Sequence, residues 1–141
     1  MMDRMLRLVD ANLDRLGEGL RVLEDVARFV LDDSELSGKL KNMRHDLVKV
    51  SPELKNTLLA TRDSEGDVGR ERLPDAGSPR NDVVALVAAN SRRAQESLRV
   101  LEESVKLPEM PQELRSKAFE KARYSLYAIE KEMILKLAEG I

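Results

Sequence analysis

The sequence predicts an all-α fold: a four-helix bundle built from two repeated αα-hairpins with approximate two-fold symmetry and a long loop between helices two and three. Three observations carry that expectation. Apolar residues recur at three- and four-residue steps, the period of one helix face. Aromatics make up 3% of the chain and charged residues 35%, a balance typical of helices with wet outer faces. The block at 8–24 also returns, largely unchanged, at 86–102.

A chain of 141 residues has the length of one domain, in which roughly two thirds of the unfolded surface is buried. The reading is therefore a single helical domain over 1–141, with repeat one at about 3–50, the connecting loop at about 51–80 and repeat two at about 81–140.

Helix one is expected over 3–31, where Val9, Leu13, Leu16, Leu20, Leu23, Ala27 and Val30 form the stripe. Ser34 is placed to cap helix two, whose stripe of Leu36, Leu40, Met43, Leu47 and Val50 is ended by Ser51-Pro52. A short helix from Pro52 to Ala60 opens the connection, which then loses its period. Gly66, Gly69, Pro74, Gly77 and Pro79 are turn signals; compact domains rarely keep so long a loop without a use, and a merely solvated linker is the competing reading. Helix three carries Val83, Val87, Ala94, Leu98, Leu101 and Val105. Helix four follows Pro111, with Leu114, Ala118, Ala122, Leu126, Ile129 and Met133 facing inward.

The two copies, LVDANLDRLGEGLRVLE and LVAANSRRAQESLRVLE, share eleven of seventeen positions without a gap. Chance gives about one, so duplication is the economical explanation. A weaker likeness continues through KLKNMRHDL and KAFEKARYSL, setting Arg44 against Arg123. One hairpin cannot bury its own stripe, so two should pack together.

Several function classes fall away on composition. The chain has no cysteine, which excludes disulfides, thiolate metal sites and thiol nucleophiles. A net charge of −2 with signs interspersed supplies no field for nucleic acid or an anionic membrane. With no apolar run of about 18 residues and no secretory leader pattern, a cytoplasmic protein without a membrane or nucleic-acid partner is expected.

Polar residues inside the stripes mark the candidate site. At about 100° per residue, Asn12 and Asn90 lie roughly 40° from the centre of their apolar faces. Beside them stand Arg15 or Arg93 and then a small residue, Gly19 or Ser97. Each set makes a polar hollow edged by a guanidinium, suited to a planar polar ligand with an anionic end. A structural reading competes: the asparagines bond each other across the core and fix register, Gly19 permits close helix approach, and Arg15, Glu18 and Arg21 form weak surface pairs. Arg21 and Arg99 fit that second reading better.

Arg44 and Arg123 sit on the same edge of their stripes, so each half offers an asparagine and two arginines. The loop adds Arg62, Asp63, Glu65 and Asp67, hard oxygen ligands suited to Mg²⁺ when a phosphate completes the coordination. Neither an EF-hand nor a Walker A loop is present. His45, the sole histidine, lies opposite its stripe, where it is solvated or accepts a phosphoryl group. Pro52 follows it at seven residues instead of the five of the sensor-kinase box. Tyr124 and Tyr127 read as packing residues.

Together, LRLVDANLDRLGEGLRVLEDVARFVLDD, RHDL, LLATRDSEGDVG, ANSRRAQESLRVLEESVKL and ARYSLY resemble, in the same order and over nearly the whole chain, the helical hydroxymethylpyrimidine-phosphate kinase family of thiamine biosynthesis. Members of that family are often fused in front of thiamine-phosphate synthase. The resemblance implies phosphoryl transfer from a nucleoside triphosphate, with Mg²⁺, to 4-amino-5-hydroxymethyl-2-methylpyrimidine phosphate, giving the diphosphate. Matching positions are Asn12, Arg15, Glu18, Arg62, Asp63, Gly66, Asp67, Gly69, Asn90, Arg93, Glu96 and Arg123, while Ser91 replaces an aromatic and Ser97 an alanine.

The expected roles follow from those positions and the hollows. Arg15, Arg62, Arg93 and Arg123 are the catalytic candidates; Asn12, Glu18, Arg44, Asn90 and Glu96 bind substrate; Asp63 and Asp67 hold the metal. The expected partners are the pyrimidine phosphate, the nucleotide and thiamine-phosphate synthase, and a homodimer is compatible with the sequence. The chief alternative is a noncatalytic helical dimerisation or interaction domain associated with that synthase; a phosphotransfer bundle is third. Two hollows are expected, one per repeat, with the long loop covering one better than the other.

Overall fold

The computed structural model describes residues 1–70 and 78–140. It contains α1 (Met2–Asp25), α2 (Ser34–Val48), α3 (Pro52–Ala60), α4 (Val83–Ser104) and α5 (Ser116–Ala138), and no strand among the described residues. α1 and α4 form the central pair. α2 packs on α1, α5 packs on α4, and α2 and α5 touch each other more lightly. No described helix is long and apolar enough to cross a membrane.

The apolar period explains which faces meet. Val9, Leu16, Leu20 and Leu23 of α1 and Val87, Ala94, Leu98 and Leu101 of α4 are fully buried, joined by Leu36, Leu40, Leu126 and Met133 from the outer helices. α1 and α4 approach closely because of Gly19, where a Cβ would fall 3.1 Å from the Asn90 carbonyl oxygen and 3.4 Å from the Ala94 methyl. The counterparts of Asn90 and Ala94 in the first repeat are Asn12 and Leu16, so the pair runs antiparallel and crosses near Arg15 and Arg93.

Several expected boundaries move. The first helix ends in a π-helical turn, Val26–Val30, after which Asp32 takes a left-handed φ of 50° and reverses the chain. Val30 and Val83, counted in the stripes, are exposed. The cap of α2 is Asp33, not Ser34: its carboxylate accepts from the Leu36 amide at 2.9 Å. α3 runs from Pro52 to Ala60 as expected, with Ser51 as its cap. Ser51 also bonds Glu113 through its amide (3.0 Å) and hydroxyl (2.6 Å), fastening α3 to the turn before α5 and drawing the Glu113 carboxyl below its ordinary pKa.

α5 begins at Ser116, several residues beyond Pro111, because 105–115 is a series of turns that buries Met110 and Leu114. Phe119 takes the inward position expected of Ala118, which is exposed. The turn signals at Pro74 and Gly77 lie outside the described residues.

Candidate functional site

Both faces that hold the repeated asparagines turn toward one another. They line a cleft of ≈ 510 Å³ between α1 and α4 whose walls correspond pair by pair: Asn12 with Asn90, Arg15 with Arg93, Glu18 with Glu96, Gly19 with Ser97, and Val22 with Val100. The two expected hollows are therefore halves of one. This follows from the antiparallel crossing, which sets equivalent residues of α1 and α4 on facing walls.

The asparagines do not bond each other across the core. Asn12 is buried, and its amide donates to the Leu8 carbonyl at 2.9 Å; Asn90 donates to Leu86 at the same distance. Each side chain is thus held by its own helix one turn back. Neither Oδ1 accepts a hydrogen bond among the described residues, which leaves each amide an acceptor and one N–H to offer. Arg15, Glu18, Arg93 and Glu96 are exposed, and none forms an ion pair among the described residues. Ser97 is buried in the wall. Ser91, buried with an unpartnered hydroxyl, is a packing position, in keeping with the aromatic expected there.

Arg44 and Arg123, expected at the site, stand away from this cleft. Arg44 donates through Nε (3.1 Å) and Nη2 (2.9 Å) to Glu24, and Arg123 through the same two groups to Glu102 at 3.1 and 3.0 Å. Both glutamates are buried. These repeat-related ion pairs brace α2 to α1 and α5 to α4, and the second draws in Arg99 at 2.7 Å. Arg123 also donates to Tyr127 at 3.2 Å and lies over the rings of Tyr124 and Tyr127, which meet edge to face. Those hydrogen bonds hold its guanidinium firmly protonated.

Arg62 is engaged elsewhere again. Its guanidinium grips Asp10 at 2.7 and 3.1 Å and reaches Asp14 at 3.2 Å, on a different side of α1 from the cleft. Burial pushes the Asp14 carboxyl above its ordinary pKa, against the opposing pull of Arg62. Arg7 donates to the Asp63 carbonyl at 2.9 Å, so the described start of the loop lies along α1 and does not line the cleft.

Asp63 and Asp67 each accept a hydrogen bond from within the loop, from the Gly66 and Gly69 amides at 2.9 Å. A Cβ at Gly66 would displace the Asp63 carboxylate from this bond. No group of three or more acidic or histidine side chains gathers as a metal site among the described residues. The two carboxylates each keep one oxygen free of these bonds, which fits a hard cation whose other ligands are phosphate and water.

Three residues of consequence escaped the sequence reading: Glu24, Glu102 and Asp10. The glutamates close the repeated block, an identity that could have marked them. Asp10 faces Ala88 in the alignment and left no such trace.

Fold and site define an all-helical domain in which a duplicated helix builds both walls of a single polar cleft. The ThiD2 family profile matches residues 7–132, and the chain belongs to that family. It is similar to the thiamine-phosphate synthase of Rhodopirellula baltica, 40% identical over 135 residues that cover 95% of this chain and 35% of that protein. The thiamine-phosphate synthase of Nostoc punctiforme is 39% identical over 129 residues, 91% of this chain and 35% of its own length. That of Synechococcus sp. (strain WH7803) reaches 45% over 101 residues, 71% and 28%. The chain thus spans about a third of the length of these curated relatives. No solved structure matches.

Proposed function

We propose that the chain is a kinase of thiamine biosynthesis, transferring the γ-phosphoryl group of a nucleoside triphosphate to 4-amino-5-hydroxymethyl-2-methylpyrimidine phosphate to give the diphosphate. The observation that carries this reading is the axial cleft, lined by two amides and by two guanidiniums that form no ion pair among the described residues, with no histidine in its lining. Relatives named thiamine-phosphate synthase support the metabolic setting, and a synthase domain is the expected partner.

The chemistry suits such a site. A phosphate monoester has its second pKa near 6 and is largely a dianion at neutral pH, so the attacking oxygen needs no general base. Positioning and positive charge between two anions are what remain to be supplied. Arg15 and Arg93 provide charge from both sides. Asn12 or Asn90 accepts from the ring's amino group through Oδ1 and donates to a ring nitrogen through its remaining N–H. Asp63 and Asp67 would hold Mg²⁺ outside the cleft, beside Arg62 on the flank of α1, where the ion would neutralise charge on the donor's phosphates.

The test is a coupled assay of the purified protein with the pyrimidine phosphate, ATP and Mg²⁺, identifying the product by mass. Formation of the diphosphate is expected; a protein that binds neither substrate and makes none is the accessory domain instead. Asp63→Asn and Asp67→Asn should each lower turnover by orders of magnitude, with stability held within about 0.5 kcal/mol as for other exposed loop changes. Near-parental rates in both would remove the metal role and leave the kinase reading standing.

A further inference from the structure

Beyond the axial cleft, an unassigned groove of ≈ 640 Å³ lies between α1, α2 and α3. Leu13, Val48, Pro52, Leu58 and Leu59 give it an apolar lining, while Lys49, Lys55 and His45 stand on its exposed rim. Neither lysine forms an ion pair among the described residues. The carboxylates present, Asp10 and Asp14, already face Arg62, and Arg44 is engaged with Glu24. The uncommitted charge of the groove is therefore positive.

Among the described residues, the second repeat does not reproduce the lining of the groove. Its acids Asp10 and Asp14 align with Ala88 and Arg92, His45 and Val48 align with Tyr124 and Tyr127, and α3 belongs to the first half alone.

The two concavities also connect. A shallow depression on α1 shares Asp14, Arg44 and Val48 with the groove and Glu18 and Val22 with the cleft. Gly17 forms its low point beside Val48, where a Cβ would sit 3.3 Å from Val48 Cγ1. Arg21 flanks it, paired with Asp25 at 3.5 Å. The path runs round one side of a helix only about 10–12 Å across with its side chains.

We propose that the groove is the donor site: the base of a nucleoside triphosphate lies on the apolar lining, Lys49 and Lys55 meet its phosphates, and the polyphosphate crosses the Gly17 depression toward an acceptor phosphate held by Arg15 and Arg93. This rests on the kinase reading and divides its substrates between two places. The acceptor oxygen forms a bond to the γ-phosphorus as the bond from that phosphorus to the β–γ bridging oxygen breaks, and the electron pair leaves with the nucleoside diphosphate.

Lys49→Glu/Lys55→Glu changes two exposed, unpaired side chains and should leave folding intact. The double variant is expected to bind a nonhydrolysable ATP analogue at least about tenfold more weakly, a difference of about 1.4 kcal/mol. Its KM for ATP should rise in step, with KM for the pyrimidine phosphate unchanged. Arg93→Ala should do the reverse, raising KM for the pyrimidine phosphate and leaving analogue binding alone. A double variant that binds the analogue as the parent does overturns the donor assignment while the kinase survives. A parent that neither binds the analogue nor turns over ends both.

Discussion

An amide inside an apolar stripe pays for its place only if its polar atoms are satisfied or used. Asn12 is half satisfied, through its bond to Leu8, and the Leu8 carbonyl already serves the helix ladder. Asn12→Leu should therefore leave the urea midpoint unchanged or slightly higher while weakening ligand binding; a strong loss of stability would make the asparagine a structural residue. Glu102 is the opposite case. Two guanidiniums converge on this buried carboxylate, and breaking such a cluster strands charge away from water. Glu102→Ala should cost about 3–5 kcal/mol, whereas Glu103→Ala next to it, on the exposed face, should stay within about 0.5 kcal/mol. Equal urea midpoints for the two would show that the Arg123 brace adds nothing. The asparagines were legible because an amide interrupts a period. The glutamates leave no mark on local spacing, their partners lying some twenty residues away, and only their identity in the repeated block pointed to them.

At the scale of the helices, the stripes located the core, and the ends depended on chemistry that spacing does not record. Ser34 and Asp33 are both good capping residues by type, and the geometry of the reversal at Asp32 decided for Asp33. Its carboxylate serves twice, accepting from the Leu36 amide and pairing with Lys136 of α5, and these contacts hold its pKa below the ordinary 3.8. For an acid with a depressed folded pKa, the linked stability is fully present above the unfolded value and is lost as pH falls through the folded one. Asp33→Asn keeps an adequate cap and loses the charge. Urea midpoints measured at about pH 7 and about pH 3 should thus converge in the variant relative to the parent, with the variant slightly weaker at the higher pH. An identical acid dependence in both proteins would show that the contact with Lys136 contributes no stability. The start of α5 was misplaced for a related reason: Pro111 permits a helix, but Ser51 holds Glu113 in a turn through contacts distant in sequence.

For the whole molecule, the duplication was plain in the residues, and what it built was not. Periodicity assigns Asn12 and Asn90 to equivalent faces without saying whether those faces meet, so one hollow per repeat was the natural expectation. Gly19 settles the arrangement by letting α1 and α4 cross closely, which merges both halves into one cleft. Arg15 and Arg93 should then act on the same bound molecule. Calorimetric titration with the pyrimidine phosphate should give one ligand per chain, and Arg15→Ala and Arg93→Ala should each weaken that single event without changing its stoichiometry. Removing both should depart from the sum of the single losses, as expected of groups sharing one partner. Their effects need not be equal, because only α1 borders the groove and the loop carrying Arg62. Two independent binding events in the parent, with each variant abolishing one and sparing the other, would break the shared cleft into the separate hollows that the repeat alone suggests.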